Sequence, residues 1–581
     1  MIWRKNHLND KQYINFLSVV VGIVAGIAAV IIKNSVHFIQ SLLTKEFAVD
    51  LHNYLYFAYP TIGIFLVYIL AHYFIRHRIG HGIPTVLYAI SKDNGYIPRH
   101  NMFSSIIASA LTVGFGGSVG LEGPTVATGS AWGSSIGRLA RLNRKQTMLL
   151  IACSGAAAMS AIFKAPIAAT VFVLEVLMID LTMASIVPLL FASVSGALTT
   201  YLFLGQNVVY TFDITQNFVM QQVWYYIGVG VLAGIVSVYF ARMYKYLQSQ
   251  FDKLKKPITR WIIGVSILGL LIFLFPSLYG EGYDAINKAL EGNYEYLFTN
   301  SMFYELRNET WAILSLFILV IFFKVIATSA TFGAGGIGGI FAPTLFMGAN
   351  TGLFYAKVIE TTGIENLPEA NFAFAGMAGL IAGVLHAPLT AIFLIAQTTG
   401  GYKLIMPLMI VSATSYAIVR IFEGYSVYTY QLARRGELFT HNKDQVILSM
   451  MSVRNLIETD FTTISPDAYL GDLVKKIAVS KRNIIPVLGG DNELLGIIFI
   501  NDIRHIMFKR ELYEKIEVQD LMFMPAPIVD PNESMEEVAR KFQQTSHYNL
   551  PVMRDGKYYG FVSRANVFSS YRKMIRDFSE E

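Results

Sequence analysis

Long apolar runs recur throughout the first three quarters of this 581-residue chain, beginning at Ile14, Thr61, Val223 and Trp311. A helix that spans a bilayer needs about 20 apolar residues. Some of the runs are that long, whereas others are short and broken by Gly or Pro. Broken helices at membrane depth are tolerated where they are buried in protein or line a cavity. The pattern therefore predicts a polytopic membrane protein with several discontinuous helices.

Composition and charge support a membrane protein. The chain is 54% hydrophobic and 15% charged, which is too apolar for an ordinary soluble protein. Basic clusters at 76–78, 138–145 and 253–260 predict cytoplasmic loops, and the acidic segment 279–309 predicts an outer one. No cleavage site follows the first apolar run, which predicts a retained helix. The single Cys153 excludes an internal disulfide framework, and nothing indicates nucleic-acid binding.

An internal repeat relates the two halves of the apolar region. GGSVGLEGPTVATGSAWG (116–133) aligns with GGIGGIFAPTLFMGANTG (335–352), and AIFKAPIAATVFVLE (161–175) aligns with GVLHAPLTAIFLIAQ (383–397). Gly/Pro-interrupted segments at corresponding places in both halves are typical of repeat transporters and channels, whose ion sites lie near the midplane. The alternative is convergent Gly/Ala richness in packed membrane helices.

The first of these segments carries one acid, Glu122, among its glycines. A helix N-terminus presents unpaired N–H groups and the positive end of the helix dipole. Two such termini meeting at mid-membrane would hold an anion without a full positive charge, as the weak binding needed for conduction requires. A phosphate loop would need a GxxxxGK[ST] pattern, which is absent. A helix-capping glutamate is the plainer reading of Glu122.

Four motifs resemble those of the CLC family of chloride channels and chloride/proton antiporters. Gly120–Pro124 reads GLEGP and resembles the family's G-[KR]-E-G-P, while Gly80–Pro84 reads GHGIP and resembles GSGIP. Gly339–Pro343 matches GxFxP, and Tyr428 falls where the family keeps a pore tyrosine. The resemblance covers nearly the whole membrane region. It implies an inverted-repeat fold, a homodimer with one pore per subunit, and selectivity for small anions.

The resemblance makes Glu122 the gate. Ionised, its carboxylate would occupy an anion site and block the pore; protonated or displaced, it would admit chloride. For Tyr428 the alternative is an interface aromatic without a pore role. The anion-binding residues implied by the resemblance are His81, Gly82, Ile83, Gly120, Leu121, Gly123, Ile340, Phe341 and Tyr428.

Two departures from the family pattern concern anion binding. His81 stands where the family usually has Ser or Pro, and its imidazole either donates a hydrogen bond to an anion or points away. Leu121 replaces the basic residue beside the gate, which should weaken the local positive field. Lys164, where the family commonly has Asn, either attracts anions at a pore mouth or is a paired or snorkelling lysine.

A third departure concerns protons. Antiporters of the family carry a second glutamate on the intracellular proton path, in a pair of acids. Here Glu175 aligns with the first acid and Val176 with the second. Val176 lowers the expectation of proton coupling without excluding it, so the candidate proton path is Glu122, Glu175 and Val176. Alternatively, Glu175 is simply paired at a helix end.

After about residue 445 charged residues become frequent, and two similar units follow at 453–503 and 518–567. Each predicts strand, helix, strand, turn, strand and helix. The units resemble a pair of CBS domains, which pack as an intramolecular dimer and often bind adenine nucleotides.

The family's ribose-binding pattern is G-x-x-[ST]-x-x-[DN]. The second unit keeps its hydroxyl and carboxamide as Ser563 and Asn566, whereas the first keeps Asp502 but has Phe499 in place of the hydroxyl. A phenyl ring cannot satisfy ribose hydroxyls. The resemblance therefore implies at most one competent adenine-nucleotide site, and a purely structural CBS pair is the alternative.

Together these observations predict an all-α polytopic membrane protein with inverted repeats and broken helices, followed by a soluble α/β CBS domain pair. The expected domains are 1–445 for anion transport, 446–510 for CBS domain 1 and 511–581 for CBS domain 2. We expect a homodimer in the inner membrane, with the termini and CBS domains cytoplasmic. No metal or cofactor is expected to be required.

The expected function is chloride transport, either exchanged for protons or as an uncoupled channel, with another small anion as an alternative substrate. An enzyme is not expected, because the membrane region has no HExxH and no close carboxylate pair. A nucleotide-regulated membrane enzyme or a sensor is the alternative from a different class.

Overall fold

The computed structural model describes residues 9–43, 55–77, 79–80, 82–91, 93, 95–177, 183–205, 218–298, 301, 303–434, 448, 451–545 and 547–579. The chain divides into two compact units, Met1–Leu438 and Phe439–Glu581. Each unit is described by itself below.

The first unit is built of helices and their connections. A π-helical turn, Leu70–Ile75, continues α2, and short 3-10 turns occupy Met220–Gln222, Pro276–Leu278, Tyr294–Leu297 and Tyr304–Leu306. The helices are α1 (Asp10–Ser41), α2 (Leu55–Ile69), α3 (Ile83–Ser91), α4 (Asn101–Gly114), α5 (Glu122–Leu139), α6 (Arg144–Phe163), α7 (Pro166–Glu175), α8 (Met183–Leu204), α9 (Val223–Lys253), α10 (Pro257–Leu274), α11 (Tyr283–Leu290), α12 (Thr310–Gly333), α13 (Phe341–Thr361), α14 (Glu369–Leu385), α15 (Pro388–Thr398), α16 (Ile405–Phe422) and α17 (Val427–Arg434).

Long and short apolar helices are mixed in this unit. In the described part of the chain, eight helical segments are long and apolar enough to cross a bilayer. The shorter apolar helices α4, α7, α14 and α15 are not. Discontinuous helices were predicted from the Gly/Pro breaks, and this mixture confirms them. The eight segments are Asp10–Ser41, Phe57–Ile75, Arg144–Phe163, Ser185–Leu204, Met220–Lys253, Pro257–Leu274, Thr310–Gly333 and Ile405–Tyr430.

The helices of the two halves begin at equivalent residues of the repeat. Helix α5 begins at Glu122 and α13 at its repeat mate Phe341. Helix α7 begins at Pro166 and α15 at its mate Pro388. Proline suits the first turn of a helix because its missing N–H would have no intrahelical partner there. The residues that match between the two halves of the sequence are therefore residues at which equivalent helices begin.

Glycines end the helices that lead into the two central loops. Gly116 follows α4 with φ of 94°, and its repeat mate Gly335 follows α12 with φ of 100°. Beyond them, the Gly117 amide donates to the Thr112 carbonyl at 2.8 Å, and the Gly336 amide donates to that of Thr331 at 2.9 Å. This is the Schellman closure, which needs a residue in the left-handed region.

The two central loops meet through a reciprocal pair of backbone hydrogen bonds. The Gly120 amide donates to the Gly339 carbonyl at 2.8 Å, and the Gly339 amide donates to the Gly120 carbonyl at 2.7 Å. The two loops run antiparallel at this bridge. Because Gly120 and Gly339 are repeat mates, a local two-fold axis passes between them. The halves are therefore related by inversion of direction, as predicted.

A second reciprocal contact follows the same symmetry. The Ser118 amide donates to Thr331 Oγ1 at 3.2 Å, and the amide of its repeat mate Ile337 donates to Thr112 Oγ1 at 3.0 Å. Each loop is thus fixed by the helix that precedes the other loop. This arrangement brings the N-termini of α5 and α13 together.

The second unit holds the two CBS-like repeats. In both repeats two antiparallel strands are flanked by helices, with Ile485 opposite Ile498 and Leu550 opposite Val562. The elements are α18 (Leu470–Val479), β1 (Ile484–Leu488), β2 (Leu494–Phe499), α19 (Ile500–Ile503), α20 (Met535–Gln544), β3 (Asn549–Arg554), β4 (Lys557–Ser563) and α21 (Arg564–Ser579), with 3-10 turns at Val453–Leu456, Gly490–Asn492, Arg510–Leu512 and Val518–Asp520.

The first predicted strand of each repeat is reduced to a single bridge. Ile464 pairs parallel with Val487, and Val529 pairs parallel with Val552. Pro466 and Pro531 follow two residues later in both cases. Because proline has no N–H to give to a ladder, it ends the pairing.

Helices α13 and α14 pack in direct backbone contact, which generates a stability prediction. A Cβ on Gly352 would lie 1.9 Å from the Phe372 carbonyl oxygen. We expect Gly352→Ala to destabilise the fold by about 1–3 kcal/mol through overpacking, seen as a lower melting temperature in detergent. Gly401→Ala is the matched control, because no atom lies within 4 Å of its added Cβ. Equal melting temperatures for the two variants would contradict this close packing.

Candidate functional site: a buried path between two helix N-termini

Glu122 is the first residue of α5 and is fully buried. Its Oε1 accepts a hydrogen bond of 2.5 Å from the Tyr283 hydroxyl. Its Oε2 has no hydrogen-bond partner among the residues that the structure describes. A Cβ on Gly120 would lie 2.1 Å from this Oε2 and 2.8 Å from Ala342 Cβ. The carboxylate therefore lies across the bare Cα of Gly120, at the start of α13.

The N-cap residue of α5 has no side chain that could cap the helix, and the first amides of the helix have no intrahelical partner. Its N-cap residue Leu121 makes no side-chain cap, and the Thr125 amide, donating to the Leu121 carbonyl at 3.1 Å, is the first to close the helix. The amides of Glu122 and Gly123 precede that closure, and Pro124 has none to offer. Such amides and the helix dipole favour an anion.

Helix α13 repeats this arrangement from the other half. Its N-cap Ile340 likewise makes no side-chain cap, and the Thr344 amide closes the first turn on the Ile340 carbonyl at 3.0 Å. The amides of Ile340 and Phe341 precede that closure. The amides at the starts of α5 and α13 thus lie close to the Glu122 carboxylate. The amides of Gly120 and Leu121, two other predicted anion-binding residues, instead donate to the Gly339 carbonyl and to Glu281 Oε1.

The GHGIP motif begins α3 against α5. Gly82 has φ of 81°, and a Cβ there would lie 2.7 Å from the Gly123 carbonyl carbon. Only glycine permits both this conformation and this approach. Ile83 follows as the first residue of α3. His81 lies outside the described residues, so its predicted role stays a prediction.

Tyr428 lies on α17 and is buried. Its hydroxyl has no hydrogen-bond partner among the described residues. It lines a chamber of about 30 Å³, which is close to the share of one water molecule in the liquid. The chamber joins residues of all four motifs and is lined by Pro84, Gly123, Tyr244, Gln248, Phe332, Gly338, Gly339, Ile340, Val427 and Tyr428.

A larger cavity of about 1060 Å³ adjoins this chamber. Tyr244 and Gln248 line both spaces. The walls of the cavity carry three basic residues and one acid, Lys245, Lys255, Arg260 and Asp252. The basic excess would draw anions toward the chamber.

Glu175 ends α7 and caps the start of α15. Its carboxylate accepts the amides of Leu389 at 2.9 Å and Thr390 at 2.7 Å, and also the Thr390 hydroxyl at 2.7 Å. The repeat mate of Glu175, Gln397, accepts the Ala168 amide of α7 at 2.9 Å. Glu175 is thus paired at a helix end, one of the two alternatives predicted for it.

Two other predicted positions lie near this helix. Val176, immediately after Glu175, is buried and offers no group that titrates. The Lys164 ammonium donates to the Gly205 carbonyl at 2.8 Å and lies 5.5 Å from the centre of the Tyr201 ring. Lys164 is therefore a paired lysine in this structure.

Four polar residues around Glu122 were not predicted from the sequence. Tyr283 and Glu281 belong to a segment assigned to an outer loop on charge alone. The Lys324 ammonium is fully buried and donates to the Gly280 carbonyl at 3.1 Å. The Lys33 ammonium donates to the Ile162 carbonyl at 2.7 Å. A charge inside the apolar run of α12 was the available signal for Lys324, because such residues are functional candidates by default.

In the second unit, the predicted ribose ligands already have internal partners. The Ser563 hydroxyl donates to Glu458 Oε1 at 2.5 Å, and Glu458 Oε2 pairs with Arg482 at 2.8 Å. The Asn566 side-chain amide donates to the Leu456 carbonyl at 3.4 Å. Asp502, of the first repeat, is exposed. A ribose at Ser563 would have to displace the Glu458 carboxylate.

The two repeats of this unit pack against each other. The Glu458 amide donates to the Phe561 carbonyl at 2.8 Å, and the Phe561 amide donates back to the Glu458 carbonyl at 3.0 Å. Ile484, Leu494 and Ile497 of the first repeat share a hydrophobic cluster with Phe561 of the second. This contact fixes Glu458 beside Ser563.

Comparison with known families matches both units. Residues 62–420 match the model of the voltage-gated chloride channel family. Residues 453–509 and 518–573 match the CBS domain model. The CLC and CBS resemblances drawn from the motifs are confirmed.

Relatives and solved structures agree with these matches. A ClcB-like chloride channel protein of Ralstonia nicotianae is 30% identical over 65% of this chain and 85% of its own length. A ClcA H⁺/Cl⁻ exchange transporter of Vibrio campbellii is 28% identical over 72% of this chain and 89% of its own.

Two solved structures share the fold. A slow cyanobacterial Cl⁻/H⁺ antiporter aligns with a TM-score of 0.62 at 23% identity, covering 74% of this chain and 98% of that one. A eukaryotic CLC transporter aligns with a TM-score of 0.62 at 17% identity, covering 95% of this chain and 97% of that one. The predicted fold class, inverted-repeat membrane helices followed by a CBS pair, is confirmed, and the chain is an integral multi-pass membrane protein.

The capping contact of Glu175 yields a stability prediction. Glu175→Ala removes three hydrogen bonds to a charged acceptor, and we expect a loss of about 2 kcal/mol. Glu175→Gln keeps an oxygen acceptor and should lose less. Gln397→Ala, which removes the single mated contact, is the matched control and should cost about 1 kcal/mol. Thermal unfolding in detergent orders the variants, and an unchanged melting temperature for Glu175→Ala would contradict the capping role.

Proposed function

Because the chain belongs to the voltage-gated chloride channel family, we propose that it carries chloride across a membrane in exchange for protons, with Glu122 as the gate. The observation that carries the proposal is the placement of Glu122. Its buried carboxylate lies where the N-termini of α5 and α13 meet, against Gly120 and the chamber-lining loops. A charge in that position needs an anion-binding environment, and the two helix ends supply it.

In the closed state the ionised Glu122 carboxylate takes the place of a permeant anion. The Tyr283 hydroxyl holds it there at 2.5 Å. Chloride cannot pass while the carboxylate lies across Gly120, because both would compete for the same amides.

In the open state Glu122 is protonated or displaced. A neutral carboxyl no longer competes for the amides at the start of α5 and α13, so chloride enters. The next site inward is the chamber, where the unpartnered Tyr428 hydroxyl and the amides of Ile340 and Phe341 would bind one small anion. The basic residues of the large cavity would then draw chloride to or from this site.

Exchange requires that the proton on Glu122 also reach the other side. Val176 cannot carry it, and Glu175 is engaged at the start of α15. The inner half of the proton path would therefore run through water, which the large cavity beside Tyr244 and Gln248 has room to hold. The exchange transporters among the relatives support coupling, and the uncoupled channel is the competing outcome.

Orientation and assembly complete the proposal. The basic loops support an orientation in which the N-terminus and the CBS pair lie on the cytoplasmic side of the inner membrane, and the large basic cavity would open toward that side. We propose a homodimer with one such path in each subunit.

The test records chloride efflux and external pH together from proteoliposomes holding the full chain, with the voltage clamped at zero. Exchange predicts proton uptake that follows chloride efflux. In Glu122→Gln we expect chloride flux to lose its pH dependence and proton uptake to stop, because an amide neither competes as an anion nor carries a proton. Tyr428→Phe is the matched variant, in which pH dependence persists and chloride affinity falls about tenfold.

Each result decides a different part of the proposal. Chloride efflux without proton uptake would make the protein an uncoupled channel gated by Glu122. A Glu122→Gln variant with unchanged flux and unchanged pH dependence would remove Glu122 from the gate. A larger flux of another halide than of chloride under the same gradient would show that chloride is not the preferred substrate.

We also propose that the CBS pair regulates transport by binding an adenine nucleotide at the second repeat. Ser563 and Asn566 are the groups that would bind the ribose. Glu458 occupies the Ser563 hydroxyl and neutralises Arg482. Its carboxylate would also repel the phosphates, so nucleotide binding and the Glu458 contact are mutually exclusive.

Removing that carboxylate should strengthen nucleotide binding. We expect Glu458→Gln to bind AMP or ATP about tenfold more tightly than the wild type, because it loses the competing charge and frees Arg482. Calorimetric titration of the full chain in detergent measures this. Glu533→Gln, which breaks the 2.6 Å ion pair with Lys541 in the same unit, is the control and should bind as the wild type does. Absence of binding in all three proteins would make the CBS pair structural.

A further inference from the structure

A short segment after α10, Leu278–Tyr283, ends at the first residue of α11 and is hydrogen-bonded to the loop that leads into α5. We call it the outer segment. The Ser118 hydroxyl donates to the Leu278 carbonyl at 2.7 Å, and the Gly280 amide donates to the Gly116 carbonyl at 3.2 Å. Gly280 and Gly282 have φ of 62° and 92°. The backbone of the outer segment therefore turns back and is hydrogen-bonded to the loop that leads into α5.

The outer segment presents two polar side chains to the start of α5. The Tyr283 hydroxyl donates to the Glu122 carboxylate, as described above. Glu281 Oε1 accepts the Leu121 amide at 3.1 Å. That amide immediately precedes the gate residue. A second carboxylate is thus bound at the same helix start as Glu122, on an amide that the closing carboxylate does not use.

Charged groups on three helices act on Glu281. They are Glu122 at the start of α5, Lys33 on α1 and Lys324 on α12. Lys324 is fully buried, and its ammonium donates to the carbonyls of Gly280 at 3.1 Å and Leu278 at 3.4 Å, two residues of the outer segment that precede Glu281. Burial and the Glu122 charge favour the neutral form of the Glu281 carboxylate, and the Leu121 N–H and the two ammonium groups oppose them by favouring its charged form.

We propose that Glu281 is a positioning residue that sets the pH at which the gate opens. This inference rests on the proposed function of Glu122. A negative charge on Glu281 beside Glu122 favours the protonated form of the gate, because two like charges at one helix start repel and one proton between them relieves the repulsion. With Glu281 present, the gate opens at a higher pH than it would without it.

The contact with Glu281 also gives the backbone of Leu121 a role beside the gate. The G-[KR]-E-G-P motif that Gly120–Pro124 resembles has a basic residue at that position, which would favour an ionised gate. Here the side chain is apolar and the backbone amide of the same residue binds a carboxylate. The ammonium groups of Lys33 and Lys324 limit the cost of placing two acids together in the protein interior.

The experiment measures chloride efflux from proteoliposomes of the full chain as a function of external pH. In Glu281→Gln, whose amide oxygen still accepts the Leu121 N–H, the pH of half-maximal flux should fall by about one unit, a tenfold change in proton concentration. Tyr283→Phe removes a donor to the ionised gate and should shift the midpoint in the opposite direction. Asp284→Asn, an exposed acid one residue beyond the outer segment, is the control and should leave the midpoint unchanged.

A double variant separates this inference from the function on which it rests. In a Glu122→Gln background, Glu281→Gln should have no further effect on flux or on its pH dependence. An effect that persists there would mean that Glu281 acts on the anion directly, and would overturn the inference. The inference about Glu281 would also be overturned if Glu281→Gln kept the wild-type pH of half-maximal flux while Glu122→Gln lost its pH dependence. That result would leave the assignment of Glu122 as the gate unchanged.

Failure of the proposed function has a different result, namely unchanged pH dependence in Glu122→Gln itself. Folding of each variant is checked by its melting temperature and size-exclusion profile. If Glu281→Gln does not fold, Glu281→Met provides an uncharged side chain of similar length and should give the same downward shift. Glu281→Asp keeps the charge, so a midpoint below that of the Met variant would contradict the inference.

Discussion

The membrane unit depends on one contact, the reciprocal hydrogen bonds between Gly120 and Gly339. These bonds bring two loops from opposite halves within backbone distance, and no side chain fits between them. A Cβ on Gly338 would lie 2.2 Å from Val119, and one on Gly339 would lie 2.9 Å from the Gly123 amide nitrogen. Because each loop continues directly into a helix, joining the loops also joins the N-termini of α5 and α13. The glycine spacing of the repeat is therefore a requirement of the site as well as of the fold.

Two helix starts placed together leave several amides without intrahelical partners and add their dipoles. In a low-dielectric interior such a point needs an anion, and this chain supplies two of its own, Glu122 and Glu281. The same electrostatic demand that makes the point suitable for a passing anion therefore explains why a glutamate is tolerated there. In the proposed function, resident carboxylates and permeant chloride are alternatives for one set of donors, which would be the physical basis of a gate.

The sequence predicted the features that depend on glycine and proline, because these residues define where helices stop and start. The broken helices and the meeting of two helix N-termini were predicted from them, whereas the roles of Tyr428 and the GHGIP motif were implied by the family resemblance. Tyr283 and Glu281 were not predictable in this way. They lie 161 and 160 residues from the α5 residues that they contact, and their composition resembles that of a solvated loop. Only the tertiary path of the outer segment brings them to Glu122.

The repeat also bears on the inner side of the path. Glu175 and Gln397 are repeat mates. Glu175, at the end of α7, accepts two amides at the start of α15, and Gln397, near the end of α15, accepts one amide at the start of α7. Gln397 makes its contact with a neutral oxygen, so capping at this place does not require a charge. What distinguishes Glu175 is the Thr390 hydroxyl and a second amide, which together satisfy a carboxylate. The chain thus keeps one acid from the pair typical of antiporters and binds it fully, while Val176 takes the position of the other. Any proton that crosses this half must therefore move through water rather than from acid to acid, which places the demand on the hydration of the cavity beside Tyr244 and Gln248.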